Sequence, residues 1–129
     1  MEIPEHLRPG AKRAFKRLIT AEDITHFARI TGDRGRHHLE PDAAGRVMAH
    51  GLLTASLPTK IGGDFHYMAR TMEFEFLKAV YSGDELTCTG EVVSCVAQSA
   101  RFKVRFSFEI VNQRGEAVLR GGTSGQILR

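Results

Sequence analysis

Tryptophan is absent from this 129-residue chain, cysteine occurs only twice and proline only four times. Two cysteines are too few for the disulfide scaffold of a small secreted domain, and zinc sites use pairs closer together than Cys88 and Cys95. Both lie in apolar, strand-like sequence, and the expectation is small core or half-buried residues in a reducing compartment. No apolar run approaches the roughly 18 residues needed to cross a bilayer, and the first six residues lack the basic and apolar regions of a signal peptide. A cytoplasmic protein with no membrane contact is expected.

Charge of one sign is scarce too, with 18 basic residues against 15 acidic. Much of the excess sits in Arg8, Lys12, Arg13, Lys16 and Arg17. Such a run suits a phosphate-bearing ligand, but it lacks interleaved aromatics and reads better as a solvated edge; no nucleic-acid partner is expected. The glycines form no phosphate fingerprint: Gly62-Gly63 and Gly121-Gly122-Thr123-Ser124-Gly125 fit neither a P-loop nor a Rossmann spacing. The length suits one domain over residues 1–129, with no room for separate nucleotide and substrate domains.

Period carries the rest. Thr20-Ala21-Glu22-Asp23 resembles a capping box, after which Ile24, Phe27, Ala28 and Thr31 mark one helical face and Gly32 the stop. A short strand is predicted just before it, from Phe15 to Ile19. Residues 33–45 are polar and aperiodic, the kind of loop that carries function. A mostly buried helix is predicted from His50-Gly51, interrupted near Pro58 and ended by Gly62-Gly63. Alternation then predicts strands at 70–77 (Met72, Phe74 and Phe76 on one face), 86–92, 102–110 and 116–128. The fold class is α+β: an antiparallel sheet with one buried helix packed on it.

Asp33 and His38 stand five apart in the polar loop, and a carboxylate beside an imidazole makes an acid–base pair near neutral pH. Gly51 opens the buried helix, whose first N–H groups lack internal partners and suit an oxygen that gains negative charge. A metal site from Asp33, His37, His38 and His50 has no recognisable spacing, and none is expected.

Thr31-Gly32-Asp33 followed by His38, then Ala49-His50-Gly51-Leu52-Leu53-Thr54-Ala55-Ser56-Leu57, then Phe76-Leu77-Lys78-Ala79-Val80-Tyr81-Ser82-Gly83-Asp84-Glu85-Leu86, resembles the MaoC-like dehydratases, among them the R-specific enoyl-CoA hydratases. The likeness runs from about Phe15 to Leu128. It implies a hot-dog fold, in which a curved antiparallel sheet wraps one long central helix, working as a homodimer or higher homo-oligomer. It further implies reversible hydration of a trans-2-enoyl-CoA to the R-3-hydroxyacyl thioester. Asp33 and His38 become the dyad, the Gly51 N–H the oxyanion donor, and His37, Leu52, Ser56 and Thr59 substrate-contacting positions. The CoA thioester is substrate, and no cofactor is implied. One departure stands out: where relatives read Asp-x-Asn-Pro-x-His, this chain has Gly35 and Arg36. Thioester hydrolysis and non-catalytic acyl-CoA binding remain the alternatives.

Overall fold

The computed structural model describes residues 2–129. After a 3-10 turn at Glu5–Leu7 come strand β1 (Lys12–Leu18), helices α1 (Ala21–Thr31), α2 (Arg36–Leu39), α3 (Gly51–Ala55) and α4 (Pro58–Asp64), then strands β2 (Tyr67–Phe76), β3 (Glu85–Ala97), β4 (Arg101–Val111) and β5 (Ala117–Leu128). The strands form one five-stranded sheet in the order β1-β3-β4-β5-β2, antiparallel at every pairing. Among the described residues no helix is long and apolar enough to cross a membrane.

The alternation read from the sequence becomes the core. Leu86, Cys88 and Val92 of β3 and Phe102, Val104, Phe106, Phe108 and Ile110 of β4 all point inward and are buried with Leu57 and Ile61 of the helical layer. Intervening Lys103, Arg105 and Glu109 face solvent. β2 is different. Met72, Phe74 and Phe76 do share the inward face, since they pair with Thr123, Gly121 and Leu119. At the sheet's edge, however, the helices cover them only in part, and Met72 and Phe76 stay 48% and 53% exposed.

The capping box forms as read: Thr20 Oγ1 accepts from the Asp23 N–H and Asp23 Oδ2 from the Thr20 N–H, both at 3.0 Å. Gly32 closes α1 in the left-handed conformation, at φ 77°. The basic run is the solvated edge expected. Each of Arg8, Lys12, Arg13, Lys16 and Arg17 has a carboxylate within 4.0 Å, on Glu2, Glu91, Asp64, Glu85 and Asp23 respectively.

Two expectations need correction. The central helix does not end at Gly62-Gly63: α4 runs through both to Asp64 and is closed by Phe65 and His66, the latter at φ 55°. Packing beneath Tyr67 holds Gly62 in the helix despite its poor propensity. Nor is this helix buried on most sides, because Leu52, Thr59, Lys60 and Gly63 are exposed. Pro58 acts as anticipated, dividing the helix into α3 and α4. It occupies the first turn of α4, where its missing N–H costs nothing, and shorter i→i−3 bonds from Leu57, Thr59 and Lys60 carry the chain across the junction.

Candidate active site

The start of α3 is set from outside the helix. Residues 47–49 lie along residues 80–82: the Ala49 N–H donates to Val80 O at 2.7 Å, the Ser82 N–H to Val47 O at 2.9 Å, and Met48 bridges Tyr81. The Ser82-Gly83-Asp84 turn holds this strip. Buried Asp84 accepts from the Tyr81 N–H and from Gln113 Nε2, each at 2.9 Å. The strip then grips α2 at both ends of one residue: the Met48 N–H donates to His37 O at 2.9 Å, and Met48 O lies 2.7 Å from His38 Nδ1.

That second contact assigns the imidazole. A carbonyl oxygen only accepts, so His38 Nδ1 carries the proton and Nε2 presents a lone pair. Nε2 points at Asp33 Oδ2, 3.5 Å away. This is too long for a strong direct hydrogen bond, and it leaves room for both groups to grip one water molecule. The His38 side chain is 5% exposed and that of Asp33 56%, which makes a buried imidazole beside an open carboxylate. Asp33 Oδ1 accepts from the Gly35 N–H at 3.1 Å. That bond is the main force holding the Asp33 carboxyl below its ordinary value of 3.8, and a positive charge on the neighbouring His38, His50 or His37 ring would add to it.

Asp33, Gly51 and Leu52 border one cleft of about 280 Å³, together with Phe27, Thr31, His50 and Phe76. Gly51 and Phe76 also border a second cleft of about 270 Å³, which extends over Met48, Thr54, Leu77 and Val118. Of the residues expected from sequence, the structure thus gathers Asp33, His38, Gly51 and Leu52. His37 is exposed and lays its ring against His38, with centroids 3.8 Å apart. Ser56 and Thr59 lie further along the helix and turn their hydroxyls back onto it, toward Leu53 O and Ser56 O. Thr59 borders a separate apolar hollow of about 300 Å³ with Gly62, Tyr67, Met72 and Phe108.

Sequence reasoning undervalued His50. Its ring stacks on His38 with centroids 3.7 Å apart and planes 16° apart, and its Nε2 lies 2.9 Å from Asp33 O. The only available signal was its place immediately before Gly51. Asp33, His38 and His50 offer donor atoms within 4.8 Å of one another, which suits a cation by distance alone. Direction opposes it: an imidazole binds a metal in its ring plane, and two nearly parallel stacked planes share no such point.

The comparisons with known proteins agree with this architecture. A family profile described as the FAS1-like dehydratase domain region matches residues 10–120. The 3-hydroxybutyryl-CoA dehydratase of Methylorubrum extorquens is 28% identical over 130 aligned positions, which cover 90% of this chain and 82% of that protein. Among solved structures, the R-hydratase PhaJ1 of Pseudomonas aeruginosa superposes with a TM-score of 0.82 at 24% identity, covering 92% of this chain and 81% of that one. The (R)-hydratase of A. caviae superposes with a TM-score of 0.84 at 23% identity, covering 96% and 99%. The sheet and its split central helix therefore form a hot-dog fold, and the chain belongs to the FAS1-like dehydratase domain family, as an enzyme of the hydratase/dehydratase kind.

Proposed function

We propose that the chain catalyses the reversible hydration of a trans-2-enoyl-CoA to the R-3-hydroxyacyl thioester. The observation that carries this reading is the aim of His38: Met48 O fixes its proton on Nδ1, so the free Nε2 faces Asp33 Oδ2 at 3.5 Å. A water held between the two gives a proton to Nε2 while its oxygen bonds to C3 of the enoyl group. The double-bond electrons move toward the thioester oxygen, which the Gly51 N–H at the helix start stabilises. The proton on Nε2 then passes to C2, so one water is added and the dyad is regenerated. In this reading Leu52 and Phe76 flank the acyl thioester at the cleft.

The same reading includes a second copy of the chain. β2 ends the sheet, and an exposed ten-residue edge carrying Met72 and Phe76 beside the exposed Leu52 needs a cover. Antiparallel pairing of two β2 strands provides one.

The test is incubation of purified protein with crotonyl-CoA and longer 2-enoyl-CoAs, following enoyl absorbance and free thiol together. Loss of absorbance without thiol is expected. Thiol release would instead identify a thioesterase, and saturable binding with neither signal an acyl-CoA binder. Asp33→Asn and His38→Ala should each abolish turnover in a folded protein, and an undiminished rate in either removes the dyad.

A further inference from the structure

His50 is no reacting group in the hydration proposed above, yet it lies at the centre of the site and is only 3% exposed. Its Nε2 sits 2.9 Å from the carbonyl oxygen of Asp33, a pure acceptor, so Nε2 carries the proton. Nδ1 is then a bare lone pair, buried with no hydrogen-bond partner. One face of the ring stacks on His38, and Phe27 meets it edge-on with centroids 5.0 Å apart.

A residue needed only to fill this space would be phenylalanine, which stacks equally well and strands no buried nitrogen. The imidazole tolerates that orphan, and the one hydrogen bond it makes goes to the main chain of Asp33. The other restraints on Asp33 are local. Its N–H donates to Thr31 Oγ1 and its carboxylate accepts from the Gly35 N–H, each at 3.1 Å and two residues away. The bond from His50 spans 17 residues and ties the loop to the body of the protein. At the same time its ring packs along one face of His38, whose Nδ1 is tied to Met48 O.

We infer that His50 is a positioning residue that holds Asp33 and His38 at their working separation, with one ring touching both members of the dyad. It acts through them and not on the substrate, and the inference rests on the hydration reading. Gly35 and Arg36 fit this role, because they leave the loop without a stiffening proline and place the burden on His50.

The experiment uses the full chain with His50→Phe, which keeps the stack and removes the donor, and His50→Gln, which keeps an N–H donor. For His50→Phe the expected loss in kcat on crotonyl-CoA is on the order of 10²-fold, the scale of a misplaced catalytic group. KM should change by no more than about 2-fold, since His50 is only 3% exposed and offers little surface to a bound substrate, and His50→Gln should recover part of the loss. A second readout is independent of turnover: exchange of the Gly35 amide, which is bonded to Asp33 Oδ1, should quicken by about 10-fold as the loop loosens. Unchanged kcat or unchanged exchange in His50→Phe overturns the proposal. If that variant does not fold, His50→Gln carries the test: kcat and Gly35 exchange intermediate between wild type and Asp33→Asn are expected, and a kcat no better than that of Asp33→Asn overturns it. A wild-type chain that hydrates no enoyl-CoA would refute the hydration reading, and Gly35 exchange would still decide whether His50 holds the loop.

Discussion

One side of the Phe76 ring packs against Gly51, so that a Cβ placed on Gly51 would stand 3.1 Å from Phe76 Cε1. Strand β2 thereby meets the first residue of α3 where the two clefts join. At the first helical position Gly51→Ala gains little helix propensity, and its methyl must push the ring or the helix start aside. The expected outcome is a melting temperature close to wild type with kcat lower by about 10-fold or more, because the N–H proposed as the oxyanion donor is displaced. Adding Phe76→Leu returns the room. A double variant no faster than Gly51→Ala would show that crowding against Phe76 is not the cause.

A second close approach shapes the loop that carries Asp33 and His38. A Cβ on Gly35 would lie 2.8 Å from His37 Cε1 and 3.4 Å from Asp33 Oδ1. Gly35→Ala should therefore displace the exposed His37 ring, disturb His38 through it and lower kcat by about 3-fold or more. In a His37→Ala background the same change should cost little. Steady-state kinetics on both single variants and the double variant measure the coupling, and purely additive effects would separate His37 from the loop.

Much of the fold was legible because it is repetitive. Phe102 to Ile110 alternates so strictly that only a half-buried strand accommodates it, and the Thr20–Asp23 box announces α1. The end of the central helix was not legible. Gly62 and Gly63 read as a stop, but Tyr67 packs over Gly62 and tertiary contact overrides propensity. In the site, Asp33, His38 and Gly51 stood out by residue type and spacing. Met48 did not, because its contribution is a carbonyl that any residue supplies. His50 was visible beside Gly51, but its bond was not, because its partner, Asp33 O, is a main-chain carbonyl 17 residues away.

Glu116 ties the β4–β5 turn to Lys78, and its acidity makes that link measurable. Hydrogen bonds from Lys78, then Arg114 and Asn112, pull its carboxyl from an ordinary 4.5 down to about 2. A depressed folded value means that the stabilising contribution is fully present above pH 4.5 and is lost as pH falls toward 2. Glu116→Gln should thus melt below wild type at pH 7, with the gap closing between pH 4.5 and pH 2. Thermal melts across that range check it, and a gap that does not change with pH would exclude ionisation as its source.

Cys88 lies fully buried on β3, and burial pushes its thiol up to about 12. A thiol reagent attacks the thiolate, so at pH 8 the folded protein should leave Cys88 unmodified, while denaturant should make it react at once. Cys95 is half-buried and its thiol is raised by the same cause. Mass spectrometry after a brief exposure to iodoacetamide separates the two positions. Prompt labelling of Cys88 in the native protein would mean that β3 opens far more readily than its packing implies.

The edge strand offers the most direct check on assembly. Met72 lies near the middle of β2, so in a symmetric antiparallel pair it falls close to its own copy. Met72→Glu sets two carboxylates near one another across that junction, and like charges facing across a strand pair are destabilising. In a single chain the cost is small, because Met72 is already 48% exposed. On the proposed assembly and reaction, the wild type is expected to run as a dimer in light scattering; the variant should fold, run as a monomer and lose hydration, since Phe76 and Leu52 at the cleft would then face water. A variant that stays dimeric would place the interface elsewhere. One that becomes monomeric yet keeps full activity would show that a single chain completes the site.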